Sequence, residues 1–460
     1  MPTLMPTDTT AALGRNAEKC DSRSLLLERF ADPTAREDAR KTIFTRAFTK
    51  PVNHSKSISH VAFGASLAGS AILYAQLQSR LMVNMAGGVM ENAGLCLDRF
   101  GLPYIPGSAV KGCARRAALA ALQEWCETGT KPSGDDNPLA PCCATFPTPA
   151  DLLAAIARVF GWCEHDWSDR PDQSDLLWAC GPNRHEHWHT AAHALATHFG
   201  WKIADKHRDT PWKSLPNFAG SVSFLPAYPV DLGKTGKVDG LPLEVPPLGK
   251  LELDVVTCHH REYYAGNLPT ATDTEEPVPV VFPAVAPGHV FAFALAPLRS
   301  PHDELVQHAR TWLATGLSVF GLGAKTNAGY GWFDASDKLQ QTLAPIIQAI
   351  ELQRRKEHEE AEARRRAEEA KQAAEKAEQE RLAKAPPYER FRAEYSKLPD
   401  EPFAAQAKKY AEMTDDQRHG FVLALKDRRE TAKRWAKKKP ELLKPWQECA
   451  QKLQPPIQLP

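Results

Sequence analysis

The glycine-rich stretch from Phe320 to Gly331 constrains the fold of this 460-residue chain more than any other segment; it reads Phe-Gly-Leu-Gly-Ala-Lys-Thr-Asn-Ala-Gly-Tyr-Gly. Its four glycines let the backbone bend sharply, approach a ligand closely and leave N–H groups free to point at an anion. Apolar residues at helical spacing, over about 302–318, precede this glycine loop, and a short strand pattern at 330–333 follows it. The glycine loop therefore joins a helix to a strand.

A Walker loop or a dinucleotide-binding fingerprint requires the opposite order, in which a strand leads into the loop and a helix follows. Here Ala324-Lys325-Thr326 follows the Gly-x-Gly in the wrong direction, which argues against an NTPase or a Rossmann domain. Two interpretations remain open. The glycine loop either cradles a phosphate or is a structural turn that lets a helix pack on a sheet.

Composition bounds the class of protein. With 43% hydrophobic and 25% charged residues the chain is typical of soluble globular proteins, and its length allows two or three domains. The formal net charge of +1 means that any binding of nucleic acid must depend on local patches. No apolar run predicts a membrane span, the start of the chain lacks a secretory pattern, and the ten irregularly spaced cysteines indicate reduced thiols, so we expect a cytoplasmic protein.

A second motif, residues 101–112, reads Gly-Leu-Pro-Tyr-Ile-Pro-Gly-Ser-Ala-Val-Lys-Gly. It predicts a helix over 109–125 with Ser108 as its N-cap. Lys111, Arg115 and Arg116 fall in the first turns, where cations oppose the helix dipole at a cost of up to about 1 kcal/mol. A phosphate bound at this helix start would explain them. The alternative is a basic helix start that faces solvent.

Strand patterns predict the core. We expect strands at 80–85 and 94–99, and further strands at 220–224, 251–256, 278–282 and 290–295. A strand and a helix near 80–125, repeated near 280–333, favour an α+β fold with a ferredoxin-like (RRM-like) β-α-β-β-α-β core.

The segment 130–218 is a helical insertion rich in histidine and tryptophan. It holds Cys163, His165, Cys180, His185, His187, His189 and His193, which are residue types that bind zinc. However, no Cys-x-x-Cys pair is present and the spacings match no zinc finger. The sequence therefore predicts surface histidines and no metal site.

The C-terminal part differs in composition. A charged helix is predicted from about Pro345 to Lys384, with opposite charges at i,i+4 and few apolar positions, which indicates a single exposed helix. A small helical module follows, and it carries a basic run over 426–439. This run is either a solvated face or a contact with RNA or with an acidic protein.

The two glycine-containing motifs, 101–112 and 321–331, resemble those of the RAMP superfamily of CRISPR-associated RNA-binding proteins. Within that superfamily, residues 251–264 (Leu-Glu-Leu-Asp-Val-Val-Thr-Cys-His-His-Arg-Glu-Tyr-Tyr) are similar to a segment of the sixth subunits of type III-B (Cmr) effector complexes. Cys258 departs from the pattern, because the family often has proline there. The resemblance covers about residues 20–340.

The resemblance implies an N-terminal helical segment (1–50), a RAMP core (51–337) with the insertion at 130–218, a helical spacer (338–385) and a small all-α module (386–460). It also implies a non-catalytic subunit that holds the CRISPR RNA backbone near its 3′ end and caps a filament of related subunits. Its partners would be CRISPR RNA, target RNA and other subunits, without a cofactor, a metal or a membrane. The implied RNA contacts are Ser108, Lys111, Arg115, Arg116, Gly321, Gly323, Lys325, Thr326 and Asn327.

Two other hypotheses stay open. Related RAMP proteins process CRISPR RNA with a histidine as general acid or base, for which His54, His60, His259 and His260 are the candidates here. Backbone subunits can cut target RNA with a loop aspartate, but Asp98 precedes a turn and Asp254 lies within a strand pattern. The last hypothesis is an unrelated scaffold whose glycine loop matches by chance.

Overall fold

A computed structural model describes residues 11–12, 14, 19–50, 52, 66–67, 70–90, 93–167, 174–181, 184–273, 277–298 and 303–460. The chain divides into two compact units, Met1–Ile350 and Glu351–Pro460. Helices and antiparallel sheets are combined in the first unit, which confirms the predicted α+β class. Among the described helices, none has the length and apolar character of a bilayer-spanning segment.

The elements of the first unit follow in chain order. The helices are α1 (Arg23–Glu28), α2 (Glu37–Phe48), α3 (Gly107–Thr128), α4 (Ala140–Cys143), α5 (Pro149–Phe160), α6 (Asp175–Cys180), α7 (Arg184–Phe199), α8 (Arg261–Tyr264) and α9 (Asp303–Val319). The strands are β1 (Ala71–Leu77), β2 (Gly161–Trp162), β3 (Phe218–Ala219), β4 (Val222–Phe224), β5 (Tyr228–Pro229), β6 (Leu251–Cys258), β7 (Val278–Val285), β8 (Val290–Pro297) and β9 (Phe333–Asp334).

The main sheet has the order β4-β8-β1-β9, and every neighbouring pair is antiparallel. Strand β1 pairs with β8 from Ala71↔Leu295 onward. Strand β5 continues the edge that β4 begins, but the register against β8 shifts by one residue between Phe224↔Leu295 and Tyr228↔Ala292. The edge strand is therefore one strand interrupted by a bulge, which bends it locally.

Helices α3 and α9 pack against each other and contribute to one hydrophobic core with the sheet. The buried face of α3 is rich in alanine, including Ala114, Ala117 and Ala121, so the two helix backbones can approach closely. Trp312 of α9 is buried on this side, and its indole N–H donates to the carbonyl of Cys142 in α4 at 3.1 Å. Large and small side chains thus interlock, as close packing requires.

The first strand lies earlier in the chain than the predicted one. The sequence pattern placed a strand at 80–85, whereas the sheet uses β1; the segment after β1 makes a single bridge, Leu81↔Val285, and then turns at Asn84, whose φ is +66°. Both faces of β1 are buried, and it includes a fully buried Gln76 whose amide bonds the backbone of Leu243 and Gly288. That glutamine breaks the alternation on which a strand prediction depends. The predicted strand at 94–99 is also wrong, because it is reduced to one bridge, Leu97↔Pro103.

The long helix α10 (Asp337–Lys384) begins eight residues before its predicted start, so Pro345 lies inside it. Its first turns pack on the first unit through Leu339, Leu343 and Ile347. The side-chain amide of Gln340 donates to the carbonyl of Tyr74 and accepts from the N–H of Tyr74, where β1 has no strand partner. This tertiary contact satisfies exposed strand groups and fixes where the helix starts.

A two-stranded arm is formed by β6 and β7, which pair antiparallel over eight residues from Leu251↔Val285 to Cys258↔Val278. The short helix α8 follows β6. Tyr263 and Tyr264 of α8 are 41% and 76% exposed.

The second unit contains the exposed remainder of α10 and five helices: α11 (Pro387–Ser396), α12 (Asp400–Ala407), α13 (Asp415–Asp427), α14 (Arg429–Lys438) and α15 (Pro440–Lys452). These five helices enclose a hydrophobic core of their own that is centred on Phe403, Phe421, Trp435 and Trp446. Thr414 begins α13 with a capping box that includes Gln417. Gly420 allows α11 to pack closely, because a Cβ there would lie 2.6 Å from the side chain of Phe391.

Candidate nucleic-acid interface

The structure brings the two glycine-containing motifs into direct contact. Gly316 of α9 packs on α3 so closely that a Cβ would lie 2.6 Å from the carbonyl oxygen of Cys113. The Cys113 thiol donates to the carbonyl of Gly321, with 3.7 Å between sulfur and oxygen. The guanidinium of Arg116 lies 4.6 Å from the centroid of the Phe320 ring. The middle of α3 therefore lies against the start of the glycine loop.

The conformation of the glycine loop explains its composition. All four glycines have positive φ, between +68° and +99°, and Lys325 has φ +59°. A Cβ on Gly331 would lie 1.9 Å from the carbonyl of Leu322, and one on Gly323 would lie 2.3 Å from the carbonyl of Met82. Both the left-handed backbone and the tight packing require glycine at these two positions.

The glycine loop also presents free donors. Within the described residues, the backbone N–H groups of Gly323, Lys325, Thr326 and Asn327 make no hydrogen bond. Gly323 and Asn327 are exposed, and Lys325 and Thr326 are half-buried. Several N–H groups in a left-handed turn form a concave surface that suits an anion. The ammonium of Lys325 lies 5.8 Å from the centroid of the Phe282 ring.

The start of α3 differs from the prediction. The helix begins at Gly107 and its N-cap is Pro106, so Ser108 is not the N-cap. Gly107 is needed because a Cβ there would lie 2.2 Å from the carbonyl of Phe224 on the edge strand. This packing, rather than a polar cap, sets the first helical residue. Ser108 is exposed, and its hydroxyl has no hydrogen bond to any residue that the structure describes.

The three predicted cations of α3 have different environments. Lys111 is half-buried, and its ammonium donates to the carbonyl of Phe160 at 2.8 Å. Burial lowers the pKa of Lys111, and the positive charge of Arg115 lowers it further. Arg115 forms ion pairs with Asp166 and Asp175. These two cations thus hold the insertion against α3.

Arg116 is exposed and lines an open groove of about 430 Å³ together with Phe320 and Trp178. Trp178 is 53% exposed, and it is the only tryptophan among the exposed large hydrophobic residues in the described part of the chain. Sequence reasoning did not single out Phe320 or Trp178. A tryptophan in a polar helix start, Ser174 to Cys180, was the available signal.

The aspartate of the arm is already engaged. The carboxylate of Asp254 accepts from the Tyr330 hydroxyl and from Nη1 of Arg80 at 3.0 Å, and Nε of Arg80 donates to Glu252 at 3.2 Å. Burial raises the pKa of Asp254, but hydrogen bonds from Tyr330 and the Val255 N–H, with the charge of Arg80, outweigh burial and lower it.

Burial and the neighbouring carboxylate raise the pKa of Tyr330 to about 12. Asp254 therefore ties the arm to the end of the glycine loop.

The remaining catalytic candidates have local roles or stay uncertain in position. One oxygen of Asp98 accepts from the N–H groups of Phe100 and Leu102 and so stabilises a turn. His259 and His260 adjoin the end of β6 with ring centroids 6.5 Å apart. His54 and His60 lie outside the described residues.

The insertion brings together some of its cysteines and histidines. His189 and His193 have ring centroids 4.6 Å apart. Cys126 of α3 hydrogen-bonds Cys180 and His187, and these contacts lower the pKa of Cys126 to about 6. No group of three or more histidine, cysteine, aspartate or glutamate side chains in the described residues could hold a metal ion.

Residues 56–334, more than half of the chain, match the family model for the RAMP superfamily. The chain therefore belongs to the RAMP superfamily.

Among individual relatives, the chain is similar to the CRISPR system Cmr subunit Cmr6 of Pyrococcus furiosus, with 25% identity over 270 residues. This alignment covers 55% of the chain and 64% of the relative, so the chain spans less than two thirds of that protein.

Two solved structures are also similar to this chain. One is the cryo-EM structure of the Type III-B Cmr-beta bound to cognate target RNA, with a TM-score of 0.34, 14% identity, and coverage of 67% of this chain and 77% of that chain. The other is the crystal structure of Cmr6 from Pyrococcus furiosus, with a TM-score of 0.27, 23% identity, and coverage of 58% and 98%.

Proposed function

We propose that this chain is a non-catalytic, RNA-binding subunit of a type III-B CRISPR effector complex. It holds the backbone of the CRISPR RNA near the 3′ end and caps the filament of backbone subunits, with target RNA and the other subunits as further partners. Membership of the RAMP superfamily and similarity to a Cmr6 subunit support the proposal. The observation that carries it is the contact between α3 and the glycine loop, beside four unbonded N–H groups.

We propose that the core is ferredoxin-like. In that fold the order β-α-β-β-α-β produces an antiparallel sheet in which the first and third strands are central. Here the strand order β4-β8-β1-β9, with α3 after β1 and α9 after β8, supports the proposal. The RAMP core then spans 51–337 and includes the insertion at 130–218, with the helical segment 1–50 before it. The spacer 338–385 and the module 386–460 complete the chain.

RNA phosphates are bound mainly by the glycine loop in this proposal. The N–H groups of Gly323, Thr326 and Asn327 donate to phosphate oxygens, and the left-handed turn at Gly321 orients them. Lys325 and Arg116 supply positive charge, and Ser108 adds a hydroxyl. Because these groups meet the backbone and not base edges, binding is indifferent to sequence and steeply dependent on salt.

Lys111 and Arg115 act differently in the proposal. Their charges are engaged by Phe160, Asp166 and Asp175, so they position α3 and the insertion and contribute to RNA binding only indirectly.

The test is RNA binding by the purified full-length protein over a salt series, with two unrelated single-stranded sequences. We expect the Arg116→Ala/Lys325→Ala variant to lose affinity for both sequences alike, with a log K against log salt slope that is shallower by about 1.4. The Lys371→Ala/Lys376→Ala variant, which removes two exposed charges from α10, is the matched control. Unchanged binding by the first variant would contradict the proposal.

The second candidate function is a RAMP-type endoribonuclease that processes CRISPR RNA. The observation in its favour is His260, whose Nδ1 is buried without a hydrogen-bond partner in the described residues, close in sequence to the exposed Tyr263 and Tyr264. Incubation of precursor RNA with wild type and with the His259→Ala/His260→Ala variant decides between the two. Cleavage that the substitutions abolish would establish the nuclease.

A further inference from the structure

The second unit carries a strong local charge. Residues 386–460 contain 16 lysines and arginines but 11 aspartates and glutamates, a formal net charge of +5, whereas the whole chain has +1. Most of the excess lies in residues 426–439, where eight basic residues accompany two acidic ones. This run covers the end of α13, all of α14 and the residue before α15.

Only some of these cations have an acidic partner. Arg428 and Arg434 both pair with Asp400, and Lys433 pairs with Glu430 at 3.0 Å. In the described residues no ion pair engages the others, which are all exposed: Lys426, Arg429, Lys437, Lys438 and Lys439. We call these five residues, with Lys433, the basic surface.

The geometry of α14 gathers the charges on one side. Ala432 and Trp435 are buried in the core of the second unit. Arg429, Lys433 and Lys437 follow one another at intervals of four residues, so they lie along one face, about 6 Å apart. Like charges at this spacing destabilise a helix. A polyanion bound along the row would relieve that repulsion.

Helix α10 shows what a merely solvated face looks like in this chain. Arg364, Arg365 and Arg366 each pair with a glutamate three or four residues away, so positive and negative charges are interspersed. The basic surface lacks this balance. Solubility alone does not require a row of one sign, since a mixture of both signs achieves it.

The chemistry of the surface also favours a nucleic acid over a protein. A stable protein interface needs apolar or aromatic residues at its centre. None of the exposed large hydrophobic residues among the described ones lies in residues 386–460; the last in the chain is Leu352. A phosphate backbone needs only cations.

We propose that the basic surface binds the phosphate backbone of single-stranded RNA. This is a second RNA contact, outside residues 56–334 that match the RAMP family, and it does not depend on the function proposed for the RAMP core.

The test compares two full-length variants that lose the same charge. The first, Lys426→Gln/Arg429→Gln/Lys437→Gln/Lys438→Gln, neutralises the basic surface but keeps Lys439, which precedes α15. The second, Lys356→Gln/Lys371→Gln/Lys376→Gln/Lys384→Gln, neutralises four exposed lysines of α10. Binding of a uridine homopolymer and of a mixed-sequence RNA of equal length is measured from low to physiological salt.

We expect the first variant to lose at least about tenfold in affinity at low salt for both RNAs, with a salt slope shallower by about 3, because each lost phosphate contact in a single strand is worth about 0.7. The α10 variant should bind like wild type. Both variants should unfold at the wild-type temperature, since all eight side chains are exposed.

Three results would overturn the proposal: no RNA binding by wild type, equal losses in both variants, or wild-type affinity in the first variant. If the first variant keeps RNA affinity but no longer co-purifies with other subunits, the surface binds an acidic protein instead. The Arg116→Ala/Lys325→Ala variant, measured in parallel, reports on the RAMP core alone.

Discussion

The start of α3 and the helix α14 look alike in the sequence, since both are short basic stretches on a helix, yet the structure uses them differently. In α3, Lys111 and Arg115 contact Phe160, Asp166 and Asp175 of other elements. In α14, Arg429 and Lys437 have no acidic partner among the described residues. Cations in the first region hold the fold together, whereas those in the second remain available for a ligand. A basic run therefore indicates binding only when its partners are known.

The largest expected effect tests whether packing really governs the first region. Gly331→Ala should destabilise the first unit by at least about 3 kcal/mol, because it combines a positive φ with a Cβ 1.9 Å from the carbonyl of Leu322. Gly329→Ala, with similar φ but open space around the Cβ, should cost only about 1 kcal/mol. Urea denaturation measures both, and equal losses would contradict the packing argument.

Acid should weaken the first unit without altering its cationic side chains. Burial lowers the pKa of His289 to about 4, and its neutral ring bonds the carbonyl of Ala286 and the N–H of Gly249. The unfolded pKa is about 6.5, so the unfolded chain binds more protons between pH 6.5 and 4. The stabilisation is complete above pH 6.5, and up to about 3 kcal/mol is lost as the pH falls to 4.

The His289→Gln variant should show a flatter stability profile across that range in denaturant titrations. RNA binding should decline only where the protein unfolds, because lysine and arginine stay charged. A decline in affinity that precedes unfolding would show that a histidine takes part in binding.

A matched pair of glycines tests the contact between α3 and α9. Gly316→Ala should destabilise the protein by about 2 kcal/mol, since the added methyl meets the backbone of Cys113. Gly112→Ala lies in open space within a helix and should stabilise by about 0.5 to 1 kcal/mol. Thermal unfolding measures both effects. If Gly112→Ala also weakens RNA binding, RNA approaches the backbone of α3 at that point.

The smallest effect sharpens the comparison most directly. Arg115→Ala should cost about 1 kcal/mol of stability, because it breaks two partly exposed ion pairs. Lys437→Ala should change stability by less than about 0.5 kcal/mol. Their effects on RNA affinity should be reversed, with a measurable loss only for Lys437→Ala. The same ranking in both assays would remove the distinction between the two regions.

Much of the architecture followed from local patterns. Helix α9, the glycine loop and strands β6, β7 and β8 lie where the sequence predicted them, because apolar periodicity and glycine conformation are properties of short segments. The predicted strand at 80–85 was wrong, since β1 includes the buried Gln76. The start of α10 was also missed, because Gln340 of that helix bonds the backbone of Tyr74, far away in the chain.

By itself the sequence determined the two glycine motifs, the family to which they belong, and the density of positive charge along each helix. Only the tertiary structure decided which charges are available. Asp166 and Asp175 follow Arg115 by 51 and 60 residues, so no local pattern could reveal that they neutralise it. Charge is a property of a side chain, whereas its availability depends on what the fold places beside it.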